Sequence, residues 1–116
     1  MRKLLFLILM FMALPTLATA DDYAQRQARR CTREAEYYQR KADGYRREAE
    51  YYLRKAEGYQ REAAYYTRRG DADRAKTQLR YAQRAMDSYD DYMKRAARAD
   101  ETAADYLKRA ANYLSQ

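Results

Sequence analysis

The 116-residue chain contains no histidine, no tryptophan and no valine, and it has one cysteine, one proline and three glycines. Without histidine or a second cysteine, the commonest general bases and metal ligands are missing. The few glycines form neither a phosphate-cradling loop nor the sharp turn that exposes a nucleophile. The chain is therefore expected not to be an enzyme, and neither a cofactor nor a resident metal is expected. The carboxylates that occur close together, Asp87 with Asp90 and Asp91, and Asp71 with Asp73, suit helix caps and solvated helix faces better than a cation site.

Large apolar residues are also scarce, and most of them stand at the start. Residues 1 to 20 hold Arg2 and Lys3, an apolar run from Leu4 to Leu14, Pro15, and the small-residue ending Ala18-Thr19-Ala20. This order is that of a secretory leader cleaved after Ala20, and the run is short of the roughly 20 residues needed to span a bilayer. A periplasmic or secreted protein is thus expected. Loss of Arg2 and Lys3 would lower the formal net charge from +7 to +5.

Beyond residue 20 there is no Val, Ile, Phe or Trp, and the only large aliphatic residues are Leu53, Leu79, Met86, Met93, Leu107 and Leu114. A compact globular core cannot be built from these at this length. All 14 tyrosines lie in the same region.

The tyrosines are spaced with alanine. Ala35, Tyr38, Ala42, Tyr45, Ala49, Tyr52, Ala56, Tyr59, Ala63 and Tyr66 alternate steps of three and four, a heptad seam with Ala at a and Tyr at d. Extended backwards, it places Ala28 at a and Cys31 at d. A lone cysteine in an exported chain suits an intermolecular disulfide or a free thiol, while its size suits the seam equally well. The segments "YYQRKA", "YYLRKA" and "YYTRRG" recur every fourteen residues, and position c alternates Tyr37, Gly44, Tyr51, Gly58, Tyr65. The two c glycines either make room for a partner's side chains or are tolerated on a solvated face, at about 1 kcal/mol each against alanine.

The register breaks at "RRGDADRA", residues 68 to 75. Gly70 suits the left-handed conformation that ends a helix, and Asp71 or Asp73 suits the cap of the next. The stretch "AYYTRRGDADRA", residues 64 to 75, resembles the turn between the helices of a tetratricopeptide repeat, with Leu79 and Ala82 at that family's next packing positions. The likeness covers about a fifth of the chain after residue 20; the 34-residue period and closing proline are missing and the helices are too long. It implies the turn alone.

After the turn a second seam reads Ala75, Ala82, Tyr89, Ala96, Ala103, Ala110 at a and Gln78, Ala85, Tyr92, Ala99, Tyr106, Tyr113 at d. The expected fold is an all-α, long antiparallel two-helix hairpin, with helix one at about 22–69, the turn at about 70–72 and helix two at about 73–115. Residues whose numbers sum to 141 then come level. Tyr45 faces Ala96, Tyr59 faces Ala82, Tyr38 faces Ala103, and Ala35 and Ala49 face Tyr106 and Tyr92. Tyr52 meets Tyr89, while Ala42 with Ala99 and Ala56 with Ala85 make thin layers. Tyrosine is expected to fill this core with its hydroxyl at the wet edge. Glu34 with Arg109 and Glu48 with Arg95 are expected to pair across the flank.

One stripe exceeds what a hairpin needs. Leu79, Met86, Met93, Leu107 and Leu114 occupy e of helix two, interrupted by Asp100, and Leu53 lies at e of helix one. This is a candidate face for self-association into a four-helix bundle or for docking another helical protein, unless it only widens the seam. The expected role is that of a non-enzymatic structural or scaffolding component of the cell envelope. An alternative follows from Arg and Lys recurring beside Tyr: a basic periplasmic binding or holdase protein engaging anionic polymers, lipid surfaces or unfolded clients. In shape and charge it resembles the tentacled periplasmic chaperones of outer-membrane proteins. Nucleic acid would suit the same chemistry, but export argues against it.

Overall fold

The computed structural model of the chain describes the backbone of residues 2–115 and the side chains of residues 22–115; the side chains of the leader and of its cleavage point lie outside them. Two helices, α1 (Arg2–Arg68) and α2 (Ala72–Ser115), form an antiparallel hairpin, and no strand occurs among the described residues. Local sequence favours this. Ala, Glu, Gln, Lys and Arg dominate both segments, and all are strong helix formers. No proline follows Pro15.

The connection is short because two residues satisfy both helix ends. Gly70 adopts φ 78°, its N–H donates to the Thr67 carbonyl (3.1 Å), and the Asp71 N–H donates to the Tyr66 carbonyl (2.9 Å). These are the paired bonds of a Schellman ending with glycine in the left-handed position. Asp71 then begins α2. Its Oδ1 accepts from the Arg74 N–H (3.1 Å), and its carbonyl accepts from the Ala75 N–H (3.1 Å). Asp71, and not Asp73, is therefore the cap.

The chain forms two compact units, one spanning Tyr38–Glu101 and the other joining the chain up to Tyr37 with Thr102–Gln116. In the first, which holds the turn, the buried residues are Ala42, Ala49, Ala56 and Ala63 from α1 and Ala75, Ala82, Ala85, Ala96 and Ala99 from α2. In the second they are Ala28, Ala35, Ala103 and Ala110. None of the thirteen is more than 7% exposed, and no large side chain among the described residues is fully buried.

This sharpens the expectation of a tyrosine core. The centre of each unit is alanine, and the seam tyrosines Tyr38, Tyr45, Tyr52, Tyr59, Tyr66, Tyr89, Tyr92, Tyr106 and Tyr113 are half-buried along its flanks. The physical reason is the phenol: a ring drawn fully inward would strand its hydroxyl, whereas at the flank the ring covers apolar surface and the hydroxyl keeps water.

In the turn-proximal unit the flanking rings interlock. Tyr92, level with Ala49, stacks on Tyr52 (centroids 5.7 Å apart, planes 13° apart) and lies 6.2 Å from Tyr45. A ring from α2 thus wedges between two rings one heptad apart on α1. Tyr52 was expected against Tyr89; its stacking partner is Tyr92. Ala42, Ala96 and Ala99 form a contiguous cluster with Tyr45 packed on it.

Candidate functional site

The rings and charges outside the alanine seam divide between two edges of the hairpin, named here by heptad position. At the e edge, α2 presents an apolar stripe. Within the turn-proximal unit Leu79 is 52% and Met93 38% exposed, with Met86 and Leu53 half-buried beside them. In the other unit Leu107 and Leu114 are 42% and 63% exposed. The heptad arithmetic places them there: e lies some 70° around the helix from the middle of the a/d seam, too far for the partner helix to cover.

Asp100, which interrupts that stripe in sequence, is paired with Arg46, the e residue of α1. Arg46 also reaches the Asp43 carboxylate at 2.8 Å. Sequence reasoning missed this cross-helix bridge. The available signal was position: in an antiparallel pair e faces e, and Arg46 and Asp100 are the only oppositely charged e residues the two helices have.

The expected flank pairs are replaced. Arg95 and Arg109, expected opposite Glu48 and Glu34, lie over the rings of Tyr92 and Tyr106, three residues back on their own helix, at 5.1 and 5.0 Å from the centroids. An exposed ion pair is worth about 0.2–1 kcal/mol and an exposed cation–π contact about 0.5–1 kcal/mol, so local reach decides. The same arrangement recurs with Lys41 over Tyr38 and Arg84 over Tyr81, and four residues back with Lys55 over Tyr51 and Arg69 over Tyr65, while Arg74 crosses the turn to the Tyr66 ring. At Lys55 the neighbouring Tyr51 hydroxyl raises the affinity of the ammonium for its proton.

Two clefts open at the g edge, one in each unit. The turn-proximal cleft, about 180 Å³, has Ala85 as its floor, Tyr52, Tyr59 and Tyr81 as its walls, and Lys55, Arg84 and Ser88 at its rim. It lies at the thin Ala56/Ala85 layer. No carboxylate lines it. Tyr59 and Tyr81, on opposite helices, hold their rings 5.4 Å apart and tilted by 51°, which fixes one wall.

The cleft of the other unit, about 360 Å³, is lined by Cys31 with Gln27, Arg30, Glu34, Tyr106, Arg109 and Tyr113. Glu34 thus shares this lining with two arginines. Cys31 is a half-buried free thiol, placed in the seam and at the cleft wall.

The remaining expected sites have ordinary partners. Asp71 caps α2, and Asp87 accepts a hydrogen bond from Gln83 at 3.1 Å. No group of three metal-ligating side chains occurs among the described residues. A β-carbon built on Gly44 would meet nothing within 4 Å, and one on Gly58 would meet only the Arg61 guanidinium at 4.0 Å. Neither glycine is needed to let the two helices pack. Among the described residues no helix is long and apolar enough to cross a membrane. The chain matches no protein-family model, no curated protein and no solved structure.

Proposed function

We propose that the chain is a coiled-coil assembly element that pairs with a second copy of itself through the e edge of α2, and that after export it serves as a structural or scaffolding component of the cell envelope. The observation carrying this reading is the exposure of Leu79 and Met93 on either side of Met86 in a chain that exposes few other aliphatic side chains. Three such residues at heptad spacing on one helix form the narrow stripe that a neighbouring helix covers.

Charge supports a second copy as the occupant. When two α2 helices lie antiparallel with Leu79 against Met86 of the other copy, residues whose numbers sum to about 166 come level. Lys76 then meets Asp90, and Arg80 meets Asp87. Both pairs occur twice about the two-fold axis, as a self-complementary patch requires. The apolar leader supports export on its three-part order.

The test is the mass of the purified chain by light scattering. Met86→Glu with Met93→Glu is expected to lower the mass to that of one chain while circular dichroism stays helical. Reversing Asp87 to Lys is expected to weaken association, and adding Arg80→Glu to restore it. An unchanged mass in the double glutamate variant removes the e edge as the interface.

A second reading, a basic protein that binds anionic polymers, lipids or unfolded clients, is favoured by one observation. Lysine and arginine are held over tyrosine rings repeatedly along both helices. Fixed cations beside aromatic faces suit ligands that are anionic and partly apolar.

A further inference from the structure

The turn-proximal cleft combines tyrosines from both helices, two cations and a serine, with no carboxylate in its lining. Its volume of about 180 Å³ is that of one six-membered ring with substituents, since a cavity of about 150 Å³ accommodates benzene. Tyrosines from both helices line the cleft, and Tyr52 is stacked on Tyr92. Its rim carries Lys55 and Arg84, one from each helix, and Ser88. The absence of a lining carboxylate distinguishes it from the other cleft, whose lining includes Glu34 with Arg30 and Arg109.

The rim cations are also held in place. Arg84 lies 5.9 Å from the centroid of Tyr81, and Lys55 lies 5.0 Å from that of Tyr51. A guanidinium beside a ring keeps N–H donors for an acceptor, and an ammonium has three donors. Tyr51 favours the charged form of Lys55.

We propose that this cleft binds a six-membered ring bearing a carboxylate, the ring seated on Ala85 between Tyr52 and Tyr59 and the carboxylate held by Lys55 and Arg84. Two sources share this chemistry, a uronic acid unit of an acidic polysaccharide and a free aromatic acid. The C–H face of a sugar ring and the π face of an arene both pack on tyrosine. The inference rests on the second reading above and is independent of the e edge, which lies on the other side of the α1/α2 seam.

The experiment is a titration of the purified chain with trigalacturonate, benzoate and the neutral sugar galactose, followed by chemical shifts of the tyrosine rings and by calorimetry. One or both acids are expected to bind with millimolar or better affinity and to shift Tyr52, Tyr59 and Tyr81. Trigalacturonate alone would identify the polysaccharide source, and benzoate alone the aromatic one. Galactose is expected to bind at least tenfold more weakly. Lys55→Gln with Arg84→Gln is expected to reduce acid binding at least tenfold, and Ser88→Tyr, which fills the cleft, to abolish it, both with helicity retained. Met86→Glu with Met93→Glu is expected to leave it unchanged. No binding by either acid overturns the proposal. So does binding that survives the Lys55 and Arg84 changes, which would leave only a diffuse attraction to the basic surface.

Discussion

Two layers of the turn-proximal unit have the same core and different finishes. Ala42 with Ala99 and Ala56 with Ala85 are related by the fourteen-residue period on both helices. Lys41 and Lys55, Tyr45 and Tyr59, and Arg98 and Arg84 correspond in the same way. At the first layer Tyr45 packs on the alanine cluster, and the e edge, opposite the side of the clefts, is crossed by Arg46 and Asp100. At the second the space between the rings stays open as a cleft. The distinguishing residues lie at the rim: Tyr81 builds a wall of the cleft, whereas its counterpart Arg95 lies on the Tyr92 ring. An alanine layer therefore fixes how closely the helices approach, and the residues around it decide whether the remaining space is filled.

The largest expected contrast comes from enlarging one alanine in each layer. Ala99→Leu forces a bulky side chain into a closed cluster and is expected to cost about 1–3 kcal/mol. Ala85→Leu has the adjacent cleft of about 180 Å³ to enter and is expected to cost less than about 1 kcal/mol. Urea unfolding followed by circular dichroism measures both. Equal costs would mean that the two layers are packed alike and the comparison fails.

A smaller effect sharpens it. Gly44 and Gly58 sit at c beside the two layers, and neither has a neighbour that a methyl group would strike. Gly44→Ala and Gly58→Ala are each expected to stabilise the chain by about 1 kcal/mol, since both positions are helical with ordinary backbone angles. If these gaps serve a second copy, the same variants will raise the unfolding midpoint of dilute protein while lowering the mass seen in light scattering.

The smallest effect concerns the bridge at the closed layer. Arg46 and Asp100 remain more than two-fifths exposed at the side chain, so their coupling in a double-mutant cycle with Arg46→Gln and Asp100→Asn is expected to be about 0.2–1 kcal/mol. It is expected to fall as salt is raised. A coupling that ignores salt would mean that the pair is shielded and structurally central.

The hairpin was legible in the sequence because its signals are redundant. Ala28, Ala35, Ala42, Ala49, Ala56 and Ala63 repeat without a slip, and every one is buried. Gly70 and Asp71 supply backbone chemistry that few other residues can. The side-chain pairings were less legible, for a reason of scale. Whether Arg95 turns towards Glu48 or onto Tyr92, or Tyr52 packs on Tyr89 or Tyr92, is decided by well under 1 kcal/mol and by rotamers that heptad letters do not specify. Asp100 looked like a defect in an apolar stripe because its partner lies 54 residues away. The cleft was half visible: the thin Ala56/Ala85 layer could be read, but the tilt of Tyr81 against Tyr59 that walls it could not.

The turn has a consequence for how such a chain can change length. Asp71 closes one helix and opens the next, so the connection has no slack residue. A single insertion there would move every level by one position and rotate α2 by about 100°, carrying its alanines off the seam. Seven residues added to an arm away from the turn would preserve both faces, and fourteen would also preserve the alternation of tyrosine and glycine at c. The chain can therefore grow or shrink in whole heptads but not in single residues. Duplications visible as "YYQRKA" and "YYLRKA" are the kind of edit this architecture accepts, and a one-residue slip at residue 70 is the kind it rejects.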